Sequence, residues 1–264
     1  RNEIHSLTDI PVIGEVIYDK EENNILAKAG GRSFVQEQFR QIRTSYRNLV
    51  GNKPGFRRIM VTSSIEGEGK SFVAANFAIS LARSGRKVVL VGFDLYQPTL
   101  QEIFEIETNK GVTDYLQGEV EPREILLPTS IDNLSLVPAG NLVKTPSELI
   151  LNGRIEILLN YLDALYDVIV VDTPPIRPVS DGFEIAQYCN FVLFVVRHNY
   201  TPKVNLQMLD QELDTHNIKD VAIVFNGVKK RGLGKYSYGY GYGYGFDDRV
   251  MYDEYGKRKK KNIA

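Results

Sequence analysis

Apolar residues in this chain gather into short unbroken runs, separated by longer stretches in which they recur every three or four positions. The runs lie at 58–62, 88–93, 134–137, 168–171, 191–196 and 221–225. Unbroken β-branched and aliphatic residues, rather than alternating ones, mark strands covered on both faces. The periodic stretches predict helices over 33–50, 71–83, 147–164, 181–188 and 203–215. Ser33 is placed to cap the first of these, whose apolar stripe is Phe34, Phe39, Ile42, Tyr46 and Leu49. Phe72, Ala75, Phe77, Ala78 and Leu81 mark the second. Residues 9–14 read as an extended lead-in, because Pro11 turns its predecessor away from helix. Strands alternating with helices predict an α/β fold: an open, mostly parallel sheet with helices on both faces.

The pattern stops after residue 231. From 232 to 246 glycine alternates with tyrosine, and seven of the fifteen tyrosines lie beyond 232. So much glycine makes ordering costly and leaves little to bury, so 232–264 is expected to be a flexible tail. Its basic run, Lys257 to Lys261, reads as a solvated end. The organisation expected is a lead-in over 1–31, a nucleotide-binding domain over 32–231 and the tail.

Composition adds exclusions. Among 264 residues 43% are hydrophobic and 25% charged, and the net charge is −1. Neither nucleic acid nor an anionic membrane is favoured by that balance. One cysteine, Cys189, allows no internal disulfide and fits a reducing compartment. No metal-type spacing joins it to His5, His198 or His216, and no apolar run is long enough to span a bilayer. The chain starts at Arg1 rather than Met, which points to a piece of a longer protein.

The chemistry centres on the turn between the first strand and the second helix, Ser64-Ile65-Glu66-Gly67-Glu68-Gly69-Lys70-Ser71. It fits the phosphate-loop pattern G-x-x-x-x-G-K-[ST], except that Ser64 stands for the first glycine and Gly67 is added. Such a loop lets backbone N–H groups face phosphate oxygens at a helix start. The stretch from Ser64 through Gly67, Glu68, Gly69, Lys70 and Ser71 to Phe72 is thus expected to hold ATP or ADP. Lys70 would neutralise the β- and γ-phosphates. Asp94 and Asp172 each close a buried strand, where open α/β sheets bind ligands. With the Ser71 hydroxyl they form an oxygen set suited to Mg²⁺.

With these residues in place, the chain resembles the cytoplasmic domain of the bacterial tyrosine kinases that serve capsular and exopolysaccharide export. The stretches that carry the likeness are Glu37-x-x-Arg40-x-x-Arg43, 62–71, 111–116, 138–140 with 146–149, 168–175 with its double proline, and the tyrosine-rich tail. Partition and division-site ATPases share the fold but usually carry lysine where this chain has Ile65. The resemblance implies an ATP- and Mg²⁺-dependent tyrosine autokinase with acceptors Tyr236, Tyr238, Tyr240, Tyr242, Tyr244, Tyr252 and Tyr255. It also implies a homo-oligomeric ring through Glu37, Arg40 and Arg43, which span an arc of about 120° on a helix. Further implied are adenine recognition by Asn226 and a tyrosine phosphatase as antagonist. A transmembrane activator or chain-length-control region, upstream or separate, would place the chain on the cytoplasmic face of the inner membrane. One departure stands out. The family's Asp-x-Asp-x-Arg becomes Gly92-Phe93-Asp94-Leu95-Tyr96. The missing Asp would help deprotonate the acceptor tyrosine, so weakened transfer, or a substitute base at Asp94 or Asp181, is expected. Arg177 is left open between phosphate contact and solvent.

Overall fold

The computed structural model describes residues 2–18, 34–51, 55–177 and 180–229. In chain order the elements are α1 (Asn2–His5), β1 (Val12–Ile17), α2 (Phe34–Val50), β2 (Arg58–Ser63), α3 (Lys70–Ala82), β3 (Val88–Gly92), α4 (Leu100–Phe104) and α5 (Val112–Gln117). Then follow β4 (Leu127–Pro128), β5 (Leu134–Val137), α6 (Pro146–Ile150), α7 (Arg154–Asp163), β6 (Val168–Asp172), α8 (Asp181–Ala186), β7 (Phe191–Arg197), α9 (Lys203–Thr215) and β8 (Val221–Val228). The strands form one sheet in the order β1-β8-β7-β2-β6-β3-β5-β4. Every pairing is parallel except β4 with β5.

The unbroken apolar runs follow from this architecture. On β3, Val88 and Leu90 face the core under α2 and α3, while Val89 and Val91 face the core under α5 and α7. On β6, Val168 and Val170 divide from Ile169 and Val171 in the same way. Both pleat faces are buried, so both sets of alternate residues must be apolar. A third core, under α9, gathers Leu206, Leu209 and Leu213 against Val192, Phe194 and Ile223.

Three expectations need adjustment. Residues 12–17 do not merely precede the domain; they form its edge strand, with Val12 opposite Ile223. Strand β1 also lies against α2, so closely that a Cβ on Gly14 would fall 2.2 Å from Ile42. On α2 the buried side is Val35, Gln38, Phe39, Ile42, Tyr46 and Val50, while Phe34 and Leu49 are exposed. The stripe drifts with the 3.6-residue period, so Val50 rather than Leu49 completes it. The helix expected over 147–164 is two helices, α6 and α7. Ser33, the tail tyrosines and the basic run lie outside the described residues.

Cys189 sits half-buried between α8 and β7 and packs against two of the cores. Burial pushes its thiol up to about 12. Thiolate is the reactive form, so iodoacetamide at pH 8 is expected to label Cys189 promptly in urea and hardly at all in the native protein. Intact mass after quenching reads the difference.

Candidate functional site

Strands β2, β3 and β6 are neighbours in the sheet and end together. Their carboxyl ends carry the phosphate loop, Asp94 and Asp172. Gly92 is registered against Asp172, and Val61 against Asp172 from the other side. This convergence brings three side chains distant in sequence into one buried cluster. The Lys70 ammonium lies 2.6 Å from Asp94 Oδ2. Burial works against the charge on Lys70, but Asp172 and Asp94 outweigh it and hold its pKa above the ordinary lysine value. Asp172 is buried and its pKa is pushed up to about 7 by burial, against the pull of Lys70 and a hydrogen bond from Ser71. Its Oδ1 is buried without a hydrogen-bond partner.

An orphaned carboxylate oxygen beside a hydroxyl and a second carboxylate is a fit for a hard cation. Among the described residues no group of three or more His, Cys, Asp and Glu side chains could cage a metal. An ion held by Ser71, Asp94 and Asp172 would therefore complete its shell with phosphate oxygens and water, as Mg²⁺ commonly does.

The loop itself depends on two glycines. Gly67 and Gly69 have φ of 80° and 91°, a region closed to most side chains. Space is also lacking: a Cβ on Gly67 would lie 2.6 Å from the Tyr200 hydroxyl, and one on Gly69 would lie 2.3 Å from Asn226 Nδ2. Helix α3 begins at Lys70, so its positive end faces the loop.

The other predicted residues divide. Ser64 donates to Glu68 and accepts from Asn205 Nδ2 at 3.1 Å. Glu68 is fully buried and turns inward. Phe72 packs edge-on against Phe39 of α2. Asn226 is spent on the loop, its Nδ2 donating to the Glu68 carbonyl at 2.9 Å. Asp94 Oδ1 accepts from the Tyr96 and Gln97 amides at 3.2 and 3.0 Å. Asp181 is buried, and its Oδ2 accepts from Tyr96 Oη at 2.7 Å and Ser147 Oγ at 3.0 Å. Arg177 pairs with Glu212 of α9 at 3.0 Å. Glu37 and Arg40 form an exposed pair at 3.2 Å, but Arg43 turns inward and donates to the Ser80 carbonyl of α3.

Sequence reasoning missed the group that braces the loop: Arg197, Tyr200, Thr201 and Asn205. Arg197 Nη1 donates to the Gly67 carbonyl at 2.7 Å and stands over the Tyr200 ring at 4.9 Å. Thr201 Oγ1 donates to Glu68. One signal was available. A carboxylate between the two glycines of a phosphate loop repels phosphate unless it faces inward, and an inward carboxylate needs donors from elsewhere.

The ParA family model, described as NUBPL iron-transfer P-loop NTPase, matches residues 56–191. The tyrosine-protein kinase CpsD of Streptococcus agalactiae is 31% identical over 232 residues, which is 86% of this chain and 92% of that protein. The tyrosine-protein kinase ptk of Acinetobacter johnsonii is 28% identical over 83% of this chain, and the chain spans about 30% of that relative's length. The solved BceF tyrosine kinase domain superposes with a TM-score of 0.77 at 26% identity, covering 86% of this chain and 97% of that one.

Proposed function

Because the chain belongs to the bacterial tyrosine-protein kinases, we propose that it moves the γ-phosphoryl group of ATP onto tyrosine hydroxyls of its own tail. The observation that carries this reading is the buried Lys70–Asp94–Asp172 cluster at the mouth of the phosphate loop. Lys70 and the loop amides hold the β- and γ-phosphates. Ser71, Asp94 and Asp172 would hold Mg²⁺, which would supply charge neutralisation on those oxygens. The acceptor tyrosine oxygen bonds to the γ-phosphorus as the bond to the bridging oxygen breaks, ADP leaves, and the phenolic proton is released to solvent. Acceptors are drawn from Tyr236, Tyr238, Tyr240, Tyr242, Tyr244, Tyr252 and Tyr255.

Gly92 favours a slow version of this chemistry. Neither substitute base is idle: Asp94 is held by Lys70 and two amides, and Asp181 by Tyr96 and Ser147. The loose transition state of phosphoryl transfer places little demand on a base, so the rate falls without vanishing. A regulatory module that binds ATP and assembles is the reading left if no transfer occurs.

We place the chain, in this proposal, on the cytoplasmic face of the inner membrane with a transmembrane activator. There it would adjust polysaccharide polymerisation and export by assembling as a ring. Among the described residues no helix is long and apolar enough to cross a membrane. Glu37 and Arg40 lie exposed for subunit contact, whereas Arg43 acts within the chain. Each added phosphate brings about −1.5 to −2 charge, so phosphorylated tails would repel and loosen the ring until a tyrosine phosphatase resets it. The test is intact mass of phosphatase-treated protein after incubation with ATP and Mg²⁺, with an aliquot on a sizing column. Stepwise phosphate mass mapped to 236–255, with a shift to smaller species, is expected. Bound ATP without added mass would leave the regulatory module instead.

A further inference from the structure

Glu68 is a buried carboxylate in a loop built for anions, and among the described residues none of its hydrogen-bond donors is charged. The Ile65 amide reaches Oε2 at 2.8 Å, Ser64 Oγ lies 3.1 Å from both oxygens, and Thr201 Oγ1 donates to Oε1. Burial raises its pKa above the ordinary carboxylate value. So costly a placement is stable only because each oxygen is satisfied.

The backbone around it is held just as firmly. The Gly67 carbonyl accepts from Arg197, and the Glu68 carbonyl accepts from Asn226. In a trans peptide plane the carbonyl and the following N–H point in opposite directions. Drawing the Gly67 and Glu68 carbonyls toward Arg197 and Asn226 therefore turns the N–H groups of Glu68 and Gly69 the other way. Thr201 ties the two halves together, since its Oγ1 also accepts from the Arg197 amide at 2.8 Å.

We propose that Glu68 is a positioning residue. Latched to Thr201, and with Arg197 and Asn226, it sets the direction of the phosphate-loop amides, so that nucleotide affinity is controlled from the turn between β7 and α9. This rests on the nucleotide-binding reading of the loop and not on where the phosphate goes.

The test compares Glu68→Ala, Glu68→Gln and Thr201→Val by two measurements. The first is amide hydrogen exchange of residues 64–69 in nucleotide-free protein. The second is Mg²⁺-ADP affinity by calorimetry. A lost buried hydrogen bond corresponds to about tenfold in an equilibrium. Glu68→Ala is therefore expected to speed exchange at Ile65 and weaken ADP binding by about tenfold or more. Glu68→Gln, which can still accept from Ile65 while donating to Thr201, is expected to stay within about threefold on both. Thr201→Val should fall between. A folded Glu68→Ala with wild-type exchange and affinity overturns the proposal, as does a folded Glu68→Gln as damaged as the alanine variant. Faster exchange with unchanged ADP affinity also overturns it. If Glu68→Ala does not fold, Thr201→Val decides, and wild-type values there overturn it. Wild-type protein that fails to bind ADP overturns the nucleotide reading instead, and the proposed control of affinity with it; exchange then shows only whether the latch exists.

Discussion

Lys70→Met is expected to cut phosphate incorporation by at least about 10²–10³-fold, the usual cost of removing one preorganised charge from a transition state. Methionine keeps the length and bulk of the side chain, so the loop retains its filler while the cation is gone. The loss reaches further than the phosphates. Lys70 is the counter-charge for Asp94 at 2.6 Å and for Asp172. Without it two buried carboxylates face each other, and Asp172 loses the neighbour that pulls its pKa down against burial. Breaking a buried pair by deleting one partner costs about 3–5 kcal/mol, so the variant should also unfold at lower urea concentration. The check is phosphate mass against time at a urea-free temperature where both proteins give the same far-ultraviolet spectrum. Transfer by a folded Lys70→Met at more than a tenth of the wild-type rate would remove Lys70 from the mechanism.

Gly111→Ala is expected to destabilise the fold by about 3 kcal/mol, at the upper end of overpacking costs. The backbone at Gly111 is extended, with φ −169°, so any residue could adopt it. Space is what fails. An added Cβ would meet Gly140 N at 2.2 Å, Pro138 O at 2.4 Å and Ala139 C at 2.6 Å. All three are backbone atoms, so no rotamer relieves the clash. The start of α5 is docked on this segment by Val112 N to Pro138 O at 2.8 Å and Thr113 N to Ala139 O at 2.9 Å. Urea titration should show a lower midpoint with an unchanged slope; a midpoint within experimental error of wild type would refute the steric account. The same segment borders the site, because a Cβ on Gly92 would fall 3.2 Å from Ala139 N. Gly92→Asp is therefore not a simple restoration of the family's acid, since its first carbon already crowds backbone.

The sheet was legible in the sequence because burial on both faces forces unbroken apolar runs, and β2, β3 and β5 to β8 all announce themselves this way. Strands β1 and β4 carried no such signal. Val12 and Val16 are buried in an edge strand broken by irregular pairing, and Leu127–Pro128 is too short to show a period. The phosphate loop and the two strand-end acids were readable because their chemistry demands particular residues in local order. The brace on that loop was not, because Arg197, Thr201, Asn205 and Asn226 meet Ser64, Gly67 and Glu68 only through the fold. Arg43 shows a related limit. Spacing along a helix gives its face, but only packing tells that α3 offers the Ser80 carbonyl there.

The pairing of β1 with β8 bears on how the chain is made. Strand β1 is synthesised about two hundred residues before its partner, which is the last strand described. On a ribosome the edge of β1 that pairs with β8 must wait without its partner until residues 221–228 emerge. Closing so long a stretch of chain is slow. The sheet edge beside α2 is thus a late-setting part of the molecule, and a pause in translation before residue 221 would hold the nascent chain in the state that chaperones recognise.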